Sequence, residues 1–476
     1  MIDYRISEHN SLNIHLKKEE AQEEDFILPE ILFKQLENIK VRNFSKNNPC
    51  FEFQSGESIH QLSAGYYIGL DWLGTTGKTL QIEPKLNAKL TEYFNQVTQE
   101  GDEEDIETSV QELDESQDKN QDYKEVDYLK MLLDIMAYEE TASQIPKVFK
   151  IYWEEETIEI RQKEDRLTPF LVVQFLQLLK RIVQKGLKKS YYKVQKNLPN
   201  KVKGKILVSA HLKQNQFKNR LTSTYCEYQE FGIDNLENRF LKKVLYFCSS
   251  YVQNHKEDIF KKNFREIRHI LQYCRPAFEQ VGDELSNLRK LSVSSNAFFV
   301  EYKEALKIGK YILNQFSFNI TQTGEEKLKS YPFWIDMPIL FELYFYTKLL
   351  KANLEQKHQI KYQFTTYGNS LDFLIANQEA PLIIDTKYKP HYNKGQIHED
   401  IRQVSGYARL KKVRNLVRKN DDSLIKCLIV YPLIDTAESE PDLDLKQLNQ
   451  QLTKTSATAI KAYEEMYKIG INLPLV

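Results

Sequence analysis

Asp372 and the tripeptide Asp385-Thr386-Lys387 are the residues of this chain best equipped for chemistry. They sit in two β-type runs, 371–375 and 381–389, separated by the turn-forming Asn377-Gln378-Glu379-Ala380. If the runs pair as a hairpin, an acid on the first strand meets an acid and an ammonium on the second. Strand periodicity places Asp385, Lys387 and Lys389 on one face, with Ile384 and Thr386 on the other. Carboxylates from two strands can hold a hard cation that prefers oxygen, such as Mg2+ or Mn2+. Such a cation polarises a phosphoryl oxygen and activates bound water. Lys387 could orient that water or offset charge in a phosphorane-like transition state. The plain alternative is a turn-closing aspartate and a solvated lysine on an edge strand.

Three further elements follow the order that such a site needs. Upstream, residues 333–346 read as a buried helix entered through Asp336 as N-cap, with Pro338 in its first turn. Glu342 is the one acid inside that apolar helix, so it needs a partner, either a cation or a basic residue. Downstream, residues 400–409 have helical spacing, and Gln403 and Tyr407 share a face at i,i+4. Residues 427–432 then read as a buried strand. The order is helix, strand, strand, helix, strand.

At these residues the chain resembles the PD-(D/E)xK nuclease superfamily and, within it, the McrC family of McrBC-type 5-methylcytosine restriction systems. Leu371-Asp372 stands where the superfamily has Pro-Asp, and Asp385-Thr386-Lys387-Tyr388-Lys389 is similar to the family's Asp-x-Lys-Tyr segment. Gln403 and Tyr407 resemble the Gln-x-x-x-Tyr helix of related nucleases, and Glu342 their accessory helix acid. Further likeness lies in residues 185–187 and 202–207, and in Asp234-Asn235-Leu236-Glu237-Asn238-Arg239. It extends more weakly to residues 65–69 and 80–85.

The resemblance implies a Mg2+-dependent endonuclease acting on double-stranded, cytosine-modified DNA. Asp372, Asp385, Glu342 and the Thr386 carbonyl would be the metal ligands. Lys387 would assist the water, and Gln403 and Tyr407 would position the motif or the phosphate. It also implies a partner, a hexameric AAA+ GTPase of McrB type whose hydrolysis a projecting finger stimulates. Two rivals stand beside this reading: a non-enzymatic activator of that ring, and a stand-alone repair nuclease.

The fold expected is α+β and multi-domain. A β-rich N-terminal domain (1–99) precedes an acidic linker (100–127) too charged to bury a core. A mostly helical region (128–318) carries a β-hairpin finger near 204–231, and a C-terminal α/β PD-(D/E)xK nuclease core spans 319–476. The finger's amide-rich tip, 211–220, reads either as a solvated loop or as a probe for phosphate or a ring pore.

Other features exclude function classes. Lys and Arg total 66 against 67 Asp and Glu, so nucleic-acid affinity must come from local patches. Five scattered cysteines without a Cys-x-x-Cys pair argue against a disulfide framework or zinc ribbon. No apolar run is long enough to span a bilayer, and a cytoplasmic protein is expected. Gly74-Thr75-Thr76-Gly77-Lys78-Thr79 has two residues between its glycines where a phosphate-binding loop needs four, so a hairpin turn is expected. His391 and His398 lie just after the motif, either as proton carriers or as ordinary loop histidines.

Overall fold

The computed structural model describes residues 2–16, 26–27, 30–36, 39–46, 48–74, 76–87, 123–161, 164–284, 300–317, 327–388, 396–419, 423–434, 441–454, 459–460 and 463–476. The chain divides into two compact units, Met1–Arg161 with Lys327–Val476, and Gln162–Glu326. Each mixes helices with sheet. Among the described residues, no helix is long and apolar enough to cross a membrane.

The first unit joins the two ends of the sequence. Strand Tyr67–Trp72 pairs antiparallel with Thr79–Glu83 on one side and with Phe333–Asp336 on the other, in a five-stranded sheet edged by Tyr4–Ser7 and Phe149–Ile151. Gly69 permits this, because a Cβ there would lie 2.2 Å from the Phe333 carbonyl oxygen and 2.8 Å from the Trp334 ring. Trp334, fully buried, donates its indole N–H to Asp71 (2.8 Å), which also holds Arg42 (2.7 Å). Residues expected in separate N- and C-terminal domains thus share one sheet. Residues 333–335, read as the start of a helix, are strand, since Ile335, Trp334 and Phe333 complete that ladder.

A four-stranded sheet (Phe26–Ile27, Ser11–His15, Ile59–Ala64, Phe51–Ser55) adds to the β-rich N-terminal segment. The glycine-rich decoy is a hairpin turn: Trp72 faces Thr79 and Leu73 N donates to Lys78 O at 2.7 Å. Residues 88–122, most of the acidic stretch, lie outside the described residues. Its last five are folded and not linker. Tyr123–Glu125 pairs with Lys85–Asn87, and Asp127 caps helix Tyr128–Ile135 by accepting from Lys130 N at 2.9 Å.

The same unit holds a second five-stranded sheet in the order Ile360–Thr366, Asn369–Ile375, Leu382–Thr386, Lys426–Leu433, Met466–Asn472. The first three strands are antiparallel and the last two join in parallel. Helix Met337–Ala352 packs Phe345 and Tyr346 on Phe373. Helices Gln396–Ala408 and Lys411–Leu416 pack Ile401, Val404, Tyr407 and Val413 into a core with Leu371, Leu374 and Ile383.

The second unit carries helices Leu167–Lys185, Leu236–Asn254, Phe264–Cys274 and Val300–Ser317 and a three-stranded sheet. The hairpin differs from the expected one. Ser190–Pro199, read as helical, is the first long strand and pairs along its whole length with Ser223–Gly232. Exposure alternates from Ser190 to Gln195, with Tyr192 and Val194 on the more covered face and Leu198 further along it, a spacing that suits a ribbon and not a helix. At the start of the expected finger near 204, only Lys205–Ile206 pairs as strand, and Val208–Gln214 is a helix. Gly204 (φ +69°) starts that short strand where a Cβ would sit 2.4 Å from Glu227 O.

The hairpin's root is tied down by the Asp-Asn…Asn-Arg segment. Asn235 and Asn238 both donate to Lys188 O (2.8 and 2.9 Å), and Arg239 forks onto Asp234 with two 2.7 Å contacts. This part of the family-like sequence is therefore architectural.

Candidate functional site

Asp336 caps helix Met337–Ala352 by accepting from Ile339 N at 3.0 Å, and the helix carries Glu342 into the interior. Glu342 is 9% exposed and accepts from Gln363 Nε2 at 3.0 Å, so its partner is an amide and not a basic side chain. Burial pushes its carboxyl up, and the charge of Asp385 pushes further the same way. Gln363 holds a left-handed backbone (φ +47°) inside a strand. The ladder pairs Tyr362 with Phe373 and Phe364 with Leu371, leaving Gln363 opposite Asp372 unpaired. A non-glycine residue strained at such a place is a mark of a site.

Asp372 and Asp385 meet where the hairpin opens. Its ladder ends at Phe373 and Ile384, so the two acids form the next opposed pair, at which the strands part. Asp372 Oδ2 accepts from both the amide and the hydroxyl of Thr386, each at 2.7 Å. Strict alternation put Thr386 on the opposite face; the opening of the strands brings its hydroxyl to Asp372 instead. Burial first, then the charge of Glu342, lifts the Asp372 carboxyl to about 7. Burial, then the charge of Asp372, lifts Asp385 to about 7.

Lys387 stands over this acidic group. Its amide donates to Val430 O (2.8 Å), which extends the parallel pairing past Thr386 and fixes the side chain. Its Nζ lies 2.7 Å from Asp385 Oδ2, 3.0 Å from Gln403 Oε1 and 3.7 Å from Asp400 Oδ1. Burial alone would lower its pKa, but Asp385 outweighs burial and raises it, so the ammonium stays charged. Gln403 Nε2 in turn donates to the Tyr407 hydroxyl at 2.6 Å, so this i,i+4 pair links Lys387 to a tyrosine buried in the core.

Asp385, Lys387, Gln403 and Tyr407 are therefore joined by direct contacts, with Asp372 tied to the neighbouring Thr386 and, like Glu342, acting on the group through charge. Reasoning from sequence missed Asp400, buried at the same helix face three residues before Gln403, a spacing that could have flagged it. It also missed Gln363, whose only signal is conformational. His391 lies outside the described residues, and nothing is described for the side chain of His398, which falls in helix Gln396–Ala408.

Among the described residues no three His, Cys, Asp or Glu side chains form a ready-made metal cage. Two observations still fit a cation. Asp385 Oδ2 is buried with no hydrogen-bond partner of proper geometry, its charge met by Lys387 alone in ion-pair contact. Three buried carboxyls also raise one another's affinity for positive charge.

A family model described as McrBC 5-methylcytosine restriction system component matches residues 62–432. No curated protein matches the chain. Among solved structures, the chain is similar to one in a refined half-complex from a tetradecameric assembly of Thermococcus gammatolerans McrB AAA+ hexamers with bound McrC. That likeness has 14% identity and a TM-score of 0.35, and covers 98% of this chain and 94% of the other. A second, in the McrBC complex of the same organism, has 13% identity and a TM-score of 0.27 over 73% of this chain and 87% of the other.

Proposed function

The chain belongs to the McrBC 5-methylcytosine restriction system component family, and from that premise we propose that it is the Mg2+-dependent DNA endonuclease subunit of a modification-dependent restriction complex. The observation that carries this reading is the meeting of Asp372, Asp385 and Lys387 at the opened end of one hairpin, with Glu342 beneath. A scaffold needs none of these types there, because three buried acids cost stability unless something cationic offsets them. The surrounding sheet, with its helices on either side of the hairpin in sequence, is the arrangement we assign to a PD-(D/E)xK core.

Asp385, Asp372 and Glu342 would hold the cation. Bound there, Mg2+ would supply polarisation of a phosphoryl oxygen and a water of lowered pKa. The chain's own groups do the rest. Asp372 is kept in place by the two Thr386 donors. Lys387, whose Nζ lies 2.7 Å from Asp385, would present an ammonium to the charge that grows on the phosphate. Gln403, braced by Tyr407, holds the Lys387 amine on one side and so limits the positions it can take.

The partner we propose is an AAA+ GTPase of McrB type, engaged by the hairpin Ser190–Pro199/Ser223–Gly232. Family membership supports this, as does a long two-stranded projection whose end exposes Phe217 and Leu221 beside Lys218 and Arg220. Base or methylation readout is assigned to the partner, since the acid–lysine site offers groups for phosphate.

The test is Mg2+-dependent cleavage of methylated and unmethylated duplex DNA, with and without the GTPase and GTP. Wild type is expected to cut only with the divalent cation, and Asp385→Asn to lose about 10²–10³-fold in rate or more. Equal cutting by the two forms removes the assigned site.

A further inference from the structure

One strongly charged surface has no part in the chemistry above. Between residues 401 and 419 the chain carries seven Lys and Arg and no acid, within a sequence of 66 basic and 67 acidic residues. The two helices there bury Ile401, Val404, Tyr407, Val413 and Val417, and turn Arg402, Arg409, Lys411, Lys412 and Arg418 outward. Among the described residues, none of Arg402, Arg409, Lys411 and Lys412 pairs with a carboxylate; Lys412 lies over the Phe364 ring at 5.5 Å. Several lysines elsewhere are paired, as Lys34 with Glu30, Lys130 with Asp134 and Lys357 with Glu140, and what sets this stretch apart is its run of these four unpaired cations without an intervening acid.

A second observation stands in the middle of this stripe. Gly406 is exposed inside helix Gln396–Ala408, and a Cβ added to it would meet nothing within 4 Å. Glycine weakens a helix interior, and no neighbour here demands its small size. It lies four residues after Arg402 and three before Arg409, so the three share one face, with a bare gap between two guanidinium groups. At ~1.5 Å per residue the arginines are about 10 Å apart along the axis, close to three steps of one DNA strand at about 3.4 Å each. Gln403, next to Arg402, touches Lys387 at 3.0 Å, so the stripe begins at the site itself.

We propose that Arg402, Gly406, Arg409 and the Lys411-Lys412 corner form a phosphate track that seats the DNA backbone and leads it to Lys387. Arginine forks suit phosphate oxygens, and the glycine lets the sugar-phosphate chain lie against the helix. Contacts of this kind fix position without reading sequence. The inference rests on the nuclease reading and extends it to the surface that holds the substrate.

The test uses the full chain carrying Asp385→Asn, so that DNA is bound and not cut, with a short fluorescein-labelled duplex followed by anisotropy across a salt series. Arg402→Glu with Arg409→Glu, and Lys411→Glu with Lys412→Glu, are each expected to weaken binding about tenfold or more. The slope of log affinity against log salt should fall by about 0.9 for each phosphate that the variant no longer neutralises. Gly406→Leu, which changes no charge, is expected to leave the melting temperature equal or higher yet to weaken binding. In the cutting-competent chain the same variants should raise KM and leave kcat within about twofold, as loss of uniform binding does. Unchanged affinity and KM in the charge reversals overturns the track while cleavage dependent on Asp385 keeps the nuclease reading. No duplex binding by the Asp385→Asn chain overturns it too, and so does loss of binding to the GTPase in place of DNA, which would assign the stripe to an acidic protein surface. Equal cutting by wild type and Asp385→Asn sinks the nuclease reading instead, and the anisotropy arm still judges the track.

Discussion

Asp372 and Asp385 carry a cost that is visible in their protonation. Their carboxyls titrate near 7 in the fold and near the ordinary value of 3.8 when unfolded, so the folded state binds more protons between those limits. Their contribution to stability is full below about pH 4 and is lost as pH rises through 7. Without divalent cation, the melting temperature is expected to fall between pH 5.5 and 8, and Asp385→Asn to flatten that slope and melt higher at pH 8. Mg2+ or Ca2+ should raise the melting temperature more at pH 8 than at pH 6, because the ligands must be deprotonated. Differential scanning fluorimetry reads all three, and a wild-type slope that Asp385→Asn leaves unchanged would sink the account. Gln363 offers a separate check. Gly accepts its φ of +47°, so Gln363→Gly should keep stability within about 1 kcal/mol while loss of the amide at Glu342 lowers single-turnover cleavage about tenfold.

At the scale of elements, the hairpin shows how a long ribbon is kept stiff. Asn197 and Asn215 exchange reciprocal amide hydrogen bonds at 2.8 Å, and Asn215, fully buried, also meets His211 at 3.0 Å. These contacts fasten helix Val208–Gln214 to the ribbon, though that helix buries no residue of its own. Asn215→Ala should therefore loosen the tip, read as faster amide hydrogen exchange over 205–222 with the hairpin's root still protected. Lys218→Ala with Arg220→Ala should lower the partner's stimulated GTPase several-fold and leave the melting temperature of the chain within about 2 °C, as surface changes do. Unchanged stimulation would detach the finger from that role.

For the whole molecule, the joins between segments matter more than the segments. Strand Ile158–Arg161 pairs antiparallel with Lys327–Ser330, setting Arg161 directly opposite Lys327. The second unit thus leaves and re-enters the first at adjacent positions, as an inserted module does. Replacing residues 162–326 with a short Gly-Ser linker is expected to leave a cooperatively folding first unit that keeps divalent-cation binding but stimulates no GTPase. A non-cooperative melt would overturn it. Within the first unit, Asp71 serves Arg42, Trp334 and the Trp72 amide together. Asp71→Ala should cost about 2 kcal/mol in urea denaturation, because it strands the buried Trp334 indole N–H in the strand that feeds the Glu342 helix and leaves the partly exposed Arg42 with Glu155 as its carboxylate partner.

The sequence by itself determined the local pieces: the N-cap at Asp336, the Asx turn in which Asn377 accepts from Glu379 N, the hairpin turn after Trp72, and the motif residues in order. Each follows from neighbours a few positions apart, which propensity and periodicity record. Where partners are distant in sequence, only the tertiary structure decided. It turned Thr386 toward Asp372 where the strands open, gave Gln363 to Glu342, laid Asp400 beside Lys387, started the long hairpin at Ser190, and wove Phe333–Asp336 into the N-terminal sheet. Those outcomes depend on where a ladder ends and on which strand fills an edge. Such energies belong to pairs far apart along the chain, and no local pattern carries them.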